Sequence, residues 1–202
     1  MTIRSYGRQS REQILAAAQT LFAERGLHET SMSDIATAAG LSRATVFNQF
    51  GSKSLILDAL TARSLQAYGD LLDQALAAKA TAPDLLRQLF RQMAQGLEAN
   101  RAVHREVFGE IRKISMGLEG EGESPALRRL AYDRLVELMR RGQASGQLDP
   151  RRPAETLATA FDSLLAGAVT QWLHGPDDAP LTPMLSDLAE VLLDGIAVAK
   201  TD

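Results

Sequence analysis

The sequence predicts an all-α protein of about nine helices, and three features of the chain support this prediction. Apolar residues recur at intervals of three and four along most of the chain, which is the spacing of one helix face. No stretch shows the alternation of a half-buried β-strand. Serine, proline and glycine stand between the periodic stretches, where they begin and end helices. We therefore expect a three-helix N-terminal head and a larger helical C-terminal part.

The composition is that of an ordinary globular protein, with 45% apolar and 23% charged residues in a chain of 202. The absence of cysteine excludes disulfides and thiolate metal sites and favours a cytoplasmic location. The N-terminus lacks the apolar core of a signal peptide. No window approaches the ~18 apolar residues of a membrane span, so we expect no contact with a membrane.

The net charge of −3 is unevenly distributed. Residues 1–55 carry +2 and the remainder carries −5. Positive potential at one end of a chain is typical of a protein that meets phosphates there, although an imbalance of this size supports such a function only in combination with a motif.

The first predicted helix runs from Ser10 to Arg25 and ends at Gly26. Its apolar face consists of Ile14, Leu15, Ala18, Leu21 and Phe22. Residues 1–7, with Arg4 and Tyr6, precede it. They are either a frayed terminus or an arm that reaches into a minor groove of DNA.

Two short helices follow, joined by a glycine turn. Ser31 and Asp34 have the spacing of a capping box at the start of the first. Gly40 stands where the chain leaves that helix in the left-handed conformation. Ser42 is the N-cap of the second. A helix pair of this kind is a helix-turn-helix, the motif that places its second helix in the major groove of DNA.

The second helix, Arg43–Phe50, turns Val46 and Phe50 inward and leaves DNA-competent side chains on its remaining surface. Arginine recognises the O6/N7 edge of guanine, and asparagine or glutamine recognises adenine. Serine and threonine hydroxyls near helix N-termini suit phosphates. The alternative is an ordinary solvated helix. The predicted DNA-binding residues here are Ser31, Ser33, Ser42, Arg43, Ala44, Thr45, Phe47, Asn48 and Gln49.

A long fourth helix begins near Ser52, and no proline interrupts its pattern before Pro83. Five further helices follow, beginning near residues 83, 102, 125, 157 and 185. A glycine- and glutamate-rich stretch at 117–124 predicts a solvated loop. We place the boundary between a DNA-binding domain, 1–54, and an effector-binding and dimerisation domain, 55–202, at the start of the fourth helix.

The residues of the head resemble a known family. The shared positions are Arg11, Ile14, Leu15, Ala17, Ala18, Leu21, Phe22 and Gly26, then Thr30, Ser31, Ile35, Ala36, Ala39, Gly40, Leu41 and Ser42, then Ala44, Thr45, Val46, Phe47, Phe50, Ser52, Lys53 and Leu55. At this spacing the chain closely resembles the N-terminal domain of the tetracycline-repressor (TetR) family of bacterial transcriptional regulators. The resemblance implies that Lys53 contacts a phosphate. Two positions depart from the usual pattern, since Phe47 replaces a tyrosine that bonds a phosphate and Ala44 replaces glycine.

The resemblance further implies a homodimer in which the last two helices of each subunit form a four-helix bundle. The apolar spacing of those helices makes these residues candidates for the interface: Leu157, Phe161, Leu164, Leu165, Ala168, Leu188 and Leu192. It also implies a ligand cavity between the helices of the C-terminal part. An effector that is apolar or aromatic is favoured, because few polar anchors can be named. The candidate lining is Phe90, Met93, Phe108, Ile111, Met116, Tyr132, Phe161 and Trp172, for each of which the alternative is simple core packing.

The sequence argues against an enzyme. The three histidines lie in separate elements, and no nucleophile elbow, phosphate-binding loop or dinucleotide fingerprint is present. We expect no catalytic site, metal or cofactor. The predicted function is a ligand-responsive transcriptional regulator, in most members of the family a repressor, that binds a palindromic operator on double-stranded DNA. The alternative is a helical adaptor that does not bind DNA.

Overall fold

The computed structural model describes residues 3–99, 101–117 and 122–196. These residues form nine α-helices and no β-strand, which confirms the predicted fold class. None of the described helices is both long and apolar enough to span a bilayer. The helices are α1 (Ile3–Glu29), α2 (Met32–Ala38), α3 (Arg43–Phe50), α4 (Lys53–Ala77), α5 (Ala82–Glu98), α6 (Arg101–Ser115), α7 (Ser124–Ala144), α8 (Ala154–His174) and α9 (Leu181–Ile196).

The predicted start of α1 at Ser10 is wrong. The helix begins at Ile3, and Ser10 is buried within it at 1% exposure. The side chains of Arg4 and Tyr6 lie outside the described part of the chain. At the other end Gly26 leaves the helix with φ 79° and ψ 169°, a conformation that a residue with a Cβ rarely adopts. The stop signal predicted at Gly26 therefore acts as a sharp break, and helical turns resume for three residues beyond it.

The chain divides into two compact units, and the first contains residues 1–64 and 101–126. Its core is built by α1, α2, α3 and the first turns of α4, with Val107 of α6 buried at 2% exposure and Ile111 packed against the same cluster. α6 packs on α1, so a helix from the later part of the sequence completes the core of the head.

A buried carboxylate on α4 holds the start of α7 within the first unit. Asp58 accepts hydrogen bonds from the backbone N–H of Glu123 at 3.2 Å and of Ser124 at 3.3 Å. The Ser124 hydroxyl donates to the Asp58 carbonyl at 3.0 Å. Gly122 has φ 80°, and a Cβ on it would lie 1.9 Å from Asp58 Oδ2. The predicted loop therefore ends in a buried serine. Its residues 118–121 lie outside the described part.

The second unit contains residues 65–100 and 127–202. Within its described part, α9 packs against α5 and α8. The Phe90 and Phe161 rings lie 4.4 Å apart between centroids, both with 0% exposure. Trp172 donates from Nε1 to the Ala179 carbonyl at 2.7 Å. These three aromatic side chains are buried within the second unit.

Candidate nucleic-acid interface

Two local hydrogen-bond patterns set where α2 and α3 begin. Ser31 Oγ accepts the N–H of Asp34 at 3.1 Å, and Asp34 accepts the N–H of Ser31 at 2.9 Å, which confirms the predicted capping box. Ser42 Oγ accepts the N–H of Thr45 at 3.1 Å, which confirms the second N-cap. Gly40 has φ 66°, as the turn between the helices requires. The helix-turn-helix is therefore specified by contacts within a few residues.

The α3 helix buries one face and presents the other. Val46 and Phe50 are buried at 0% and 5% exposure, as predicted. Arg43, Ala44 and Asn48 are exposed, while Phe47 retains 40% of its exposure. Thr45 and Gln49 are half-buried at the edge of the exposed face. A helix with this arrangement can enter a major groove without unfolding any part of the core.

The exposed face of α3 contains a cation–π pair one turn apart. The Arg43 guanidinium carbon lies 5.3 Å from the centroid of the Phe47 ring. A ring at this distance attracts the cation and limits the directions that the arginine can take. Phe47 has no hydroxyl for a phosphate, but its ring positions the group best suited to read guanine.

Several predicted DNA contacts already have partners within the head. Ser42 and Thr45 hydroxyls lie 2.8 Å apart, and the Ser31 hydroxyl donates to Asp34 at 2.7 Å. Gln49 donates from Nε2 to the Gly7 carbonyl at 3.4 Å, so it ties α3 to α1. A role for these groups in DNA binding would require them to share or exchange these bonds. Ser33 is exposed.

Lys53 has a structural role that the sequence did not reveal. Its Nζ donates to the carbonyls of Leu27 at 2.8 Å and His28 at 3.3 Å, close to the break in α1. Glu106 of α6 accepts the N–H of Leu27 at 3.4 Å on the same segment. An ammonium group has three donors, so a phosphate contact by Lys53 stays a prediction that is compatible with these two bonds.

The capping box predicts a pH dependence of stability. The hydrogen bonds from Ser31 hold the pKa of Asp34 below its ordinary value of 3.8. Because the folded pKa is depressed, the stabilisation is present above the unfolded value and is lost as the pH falls through the folded one. We expect urea unfolding between about pH 5 and pH 3 to show a smaller loss of stability for Asp34→Asn than for the wild type. The variant Asp133→Asn, at an exposed site on α7, should keep the wild-type slope, and equal slopes for all three proteins would contradict the assignment.

The residues predicted to line an effector cavity are divided between the two units. Phe108, Ile111 and Met116 belong to the first, and Met116 is 69% exposed at the end of α6. The second contains Phe90, Met93, Tyr132, Phe161 and Trp172. Of these, Phe90, Phe161 and Trp172 are buried, and the Tyr132 hydroxyl donates to the Glu155 carbonyl at 3.1 Å. Their function as a ligand site stays a prediction.

The predicted interface residues on α8 and α9 fall into two groups. Leu164 and Leu188 are partly exposed and can meet another subunit. Val191 lies three positions after Leu188 on α9 and is 64% exposed, and it was not among the predicted interface residues. The other predicted residues are buried within the single chain, and their part in an interface stays a prediction: Leu157, Phe161, Leu165, Ala168 and Leu192.

The second unit contains a group of polar residues that the sequence did not predict. Tyr68 of α4 is buried, and Arg128 of α7 pairs with Asp162 of α8. Helical periodicity marked Tyr68 as apolar, and no motif marked the ion pair. Among the described residues, no group of three or more His, Cys, Asp or Glu side chains is arranged to hold a metal ion.

A three-helix head with a capped and exposed α3 defines a DNA-binding protein of the helix-turn-helix class. Residues 14–60 match the family described as bacterial regulatory proteins, tetR family. The N-terminal domain of the chain therefore belongs to this family of DNA-binding regulatory proteins.

Full-length relatives agree with this assignment. The chain is 29% identical to the transcriptional repressor BepR of Brucella suis over 175 residues, which cover 83% of this chain and 82% of BepR. It is 27% identical to the transcriptional regulator TtgR of Pseudomonas putida over 183 residues, with coverage of 86% and 84%. The fold is similar to that of FadR from Bacillus subtilis in complex with stearoyl-CoA, with a TM-score of 0.80, 21% identity and coverage of 91% and 98%.

Proposed function

We propose that two copies of this chain bind a palindromic operator through α3 and are released by a small, largely apolar effector. The exposed face of α3 carries the proposal, since Arg43 and Asn48 stand free of the head core while Val46 is fully buried. A two-fold dimer would place two such helices in successive major grooves, about 34–36 Å apart or somewhat more. The same proposal includes a cytoplasmic location and no enzymatic activity.

The proposed functions are assigned to the two predicted domains. We assign DNA binding to residues 1–54 and effector binding with dimerisation to residues 55–202. In sequence α6 belongs to residues 55–202, but it packs on α1 of the head. Its Glu106 reaches the segment between α1 and α2. Movement of α6 would therefore act directly on the support of the helix-turn-helix.

The mechanism is a shift between two populations. An effector that favours a form unable to fit the operator lowers the affinity for DNA, and DNA must lower the affinity for the effector by the same factor. FadR from Bacillus subtilis was solved with stearoyl-CoA, a ligand with a long apolar chain. An effector of apolar character would suit the aromatic residues of the second unit.

Selection of bound fragments from genomic DNA tests the operator. We expect the recovered fragments to share an inverted repeat and to bind with an affinity that falls as the salt concentration rises. Recovery of unrelated sequences with equal affinity would contradict it. Addition of candidate effectors to the selected complex then measures release.

The dimer is tested on the exposed surface of α8 and α9. Gly167 of α8 leaves open space around its backbone, and Val191 of α9 is a large apolar side chain in solvent. We expect Val191→Glu to weaken dimerisation by at least about tenfold, because association would bury an unpaired charge. Sedimentation velocity over a concentration series measures this change. Ser186→Glu, which turns to a different side of α9, should leave the dimer intact. An unchanged dimer with Val191→Glu would place the interface elsewhere.

A further inference from the structure

A buried tyrosine in the second unit has a hydroxyl without a partner. Tyr68 retains 8% of its exposure, and its OH forms no hydrogen bond with any described residue. A hydroxyl buried without a hydrogen bond destabilises a protein by about 1–3 kcal/mol. Such a group is retained more readily where something outside the protein can bind to it.

The hydroxyl is a donor rather than an acceptor. Burial, with a further contribution from the Asp162 carboxylate, raises the pKa of Tyr68 well above its ordinary value, and Arg128 opposes this only in part. The phenol therefore keeps its proton at any physiological pH. A ligand atom that meets it must accept a hydrogen bond.

The charged residues near Tyr68 neutralise each other. Arg128 donates from a guanidinium nitrogen to Asp162 Oδ2, and the two side chains are only 12% and 24% exposed. An anionic ligand that approached Arg128 would meet the Asp162 carboxylate beside it, and a cationic ligand would meet the guanidinium. Neither charge is offered to a ligand alone, so an uncharged molecule is favoured.

The neighbours of Tyr68 one turn away on α4 are apolar. Leu65 and Leu72 lie three positions before and four positions after Tyr68 on α4, at 3% and 0% exposure. An apolar body with one polar atom matches these neighbours better than a polar ligand does.

We propose that the Tyr68 hydroxyl, next to the Arg128–Asp162 pair, is the polar anchor of the effector site, and that the site takes an uncharged, largely apolar molecule with a carbonyl or similar hydrogen-bond acceptor. This inference rests on the proposed function, since it names the chemistry of the effector. It adds α4, α7 and α8 as the helices that supply the polar groups of the site. It also gives the Tyr68 hydroxyl the hydrogen-bond partner that it lacks among the described residues.

Two matched probes isolate the acceptor. The compounds 2-acetylnaphthalene and 2-ethylnaphthalene differ mainly in a carbonyl oxygen, and 2-naphthoate adds a negative charge. Binding to the full-length protein is measured by calorimetry or by the fluorescence of the single tryptophan, Trp172. We expect the ketone to bind about tenfold more tightly than the hydrocarbon, the effect of one buried hydrogen bond, and the carboxylate to bind more weakly than the ketone.

The variant Tyr68→Phe should reduce the ketone-to-hydrocarbon ratio to about one. Because it removes an unsatisfied group, it should unfold at a temperature no lower than that of the wild type, which a purely structural hydroxyl would not allow. The control is Ser145→Ala, which removes a hydroxyl that donates to the Arg141 and Gly142 carbonyls near the C-terminal end of α7 and which should keep the wild-type ratio. Three results would contradict the role of the Tyr68 hydroxyl as the anchor. They are equal affinity of the wild type for the ketone and the hydrocarbon, an unchanged ratio in Tyr68→Phe, and no binding of any probe.

Operator binding distinguishes this failure from failure of the proposed function. Tyr68→Phe should bind the selected operator as the wild type does, because Tyr68 is remote in sequence from the α3 contacts and belongs to the second unit. If the wild type binds the operator and the probes do not discriminate, only the anchor is wrong. If the wild type binds no DNA with sequence preference, the proposed function is wrong whatever the probes do.

Discussion

Replacing Arg43 by alanine is expected to relax the base preference at one position of each half-site by about 1–3 kcal/mol, roughly 5- to 150-fold in affinity. Arg43 is exposed at the N-terminus of α3, where the helix enters the groove first, and the Phe47 ring at 5.3 Å restricts its directions. Loss of the side chain would remove the proposed bidentate bond to guanine and the restraint that the Phe47 ring places on the arginine. Binding to a library of operator variants measures the preference position by position.

Two further variants show whether the loss of affinity in Arg43→Ala is specific to a base. Lys53→Ala should weaken binding to all sequences and lower the salt dependence by about one unit of slope, if its remaining donor meets a phosphate. It should also lower stability, because the carbonyls of Leu27 and His28 lose their donor. Arg129→Ala removes an exposed arginine of the second unit and should change neither property. If the base preferences of the Arg43→Ala variant equal those of the wild type, Arg43 does not read a base.

Phe161→Ala is expected to lower the free energy of unfolding by about 3–5 kcal/mol, the usual effect of deleting a buried aromatic side chain. The Phe161 ring has 0% exposure and lies against the Phe90 ring at 4.4 Å. The surrounding helices cannot collapse fully into the space that the ring leaves. Denaturant unfolding monitored by circular dichroism measures the loss.

The same substitution at an exposed phenylalanine supplies the control. Phe47→Ala removes a ring that is 40% exposed, and we expect a loss of less than about 1 kcal/mol. A loss for Phe161→Ala as small as that of the control would show that the ring faces an open cavity. A position lining the effector cavity would then explain Phe161 better than a position in the core.

The helix-turn-helix was predictable because its signals are local. The serine at each helix start acts through a bond to a residue three positions away, which the structure contains at Ser31 and Ser42. The glycine at the turn acts through its own backbone conformation. The start of α1 was not predictable in this way. Serine is a common N-cap residue, but Ser10 is buried inside a helix that begins seven residues earlier. A polar residue on the inner face of a helix and a cap look alike in sequence.

Periodicity identified apolar faces but could not say what covers them. Leu157 and Leu165 have the same spacing as Leu164, yet they are buried within the chain and Leu164 is not. Contacts that join distant parts of the sequence were also hidden. No pattern connects Lys53 with the end of α1, or Tyr68 with the ion pair of α7 and α8. These depend on packing, which becomes visible only in three dimensions.

The position of α6 determines how this protein can be cut or recombined. A fragment that stops at the end of the helix-turn-helix would leave the α1 surface under Val107 exposed to water and prone to aggregate. A chimera that grafts a new recognition helix onto another regulator would need both 1–64 and 101–126 from the same donor, because these segments share one core. Exchange of the short substructure Arg43–Phe50 alone, with Val46 and Phe50 retained, would disturb far fewer contacts.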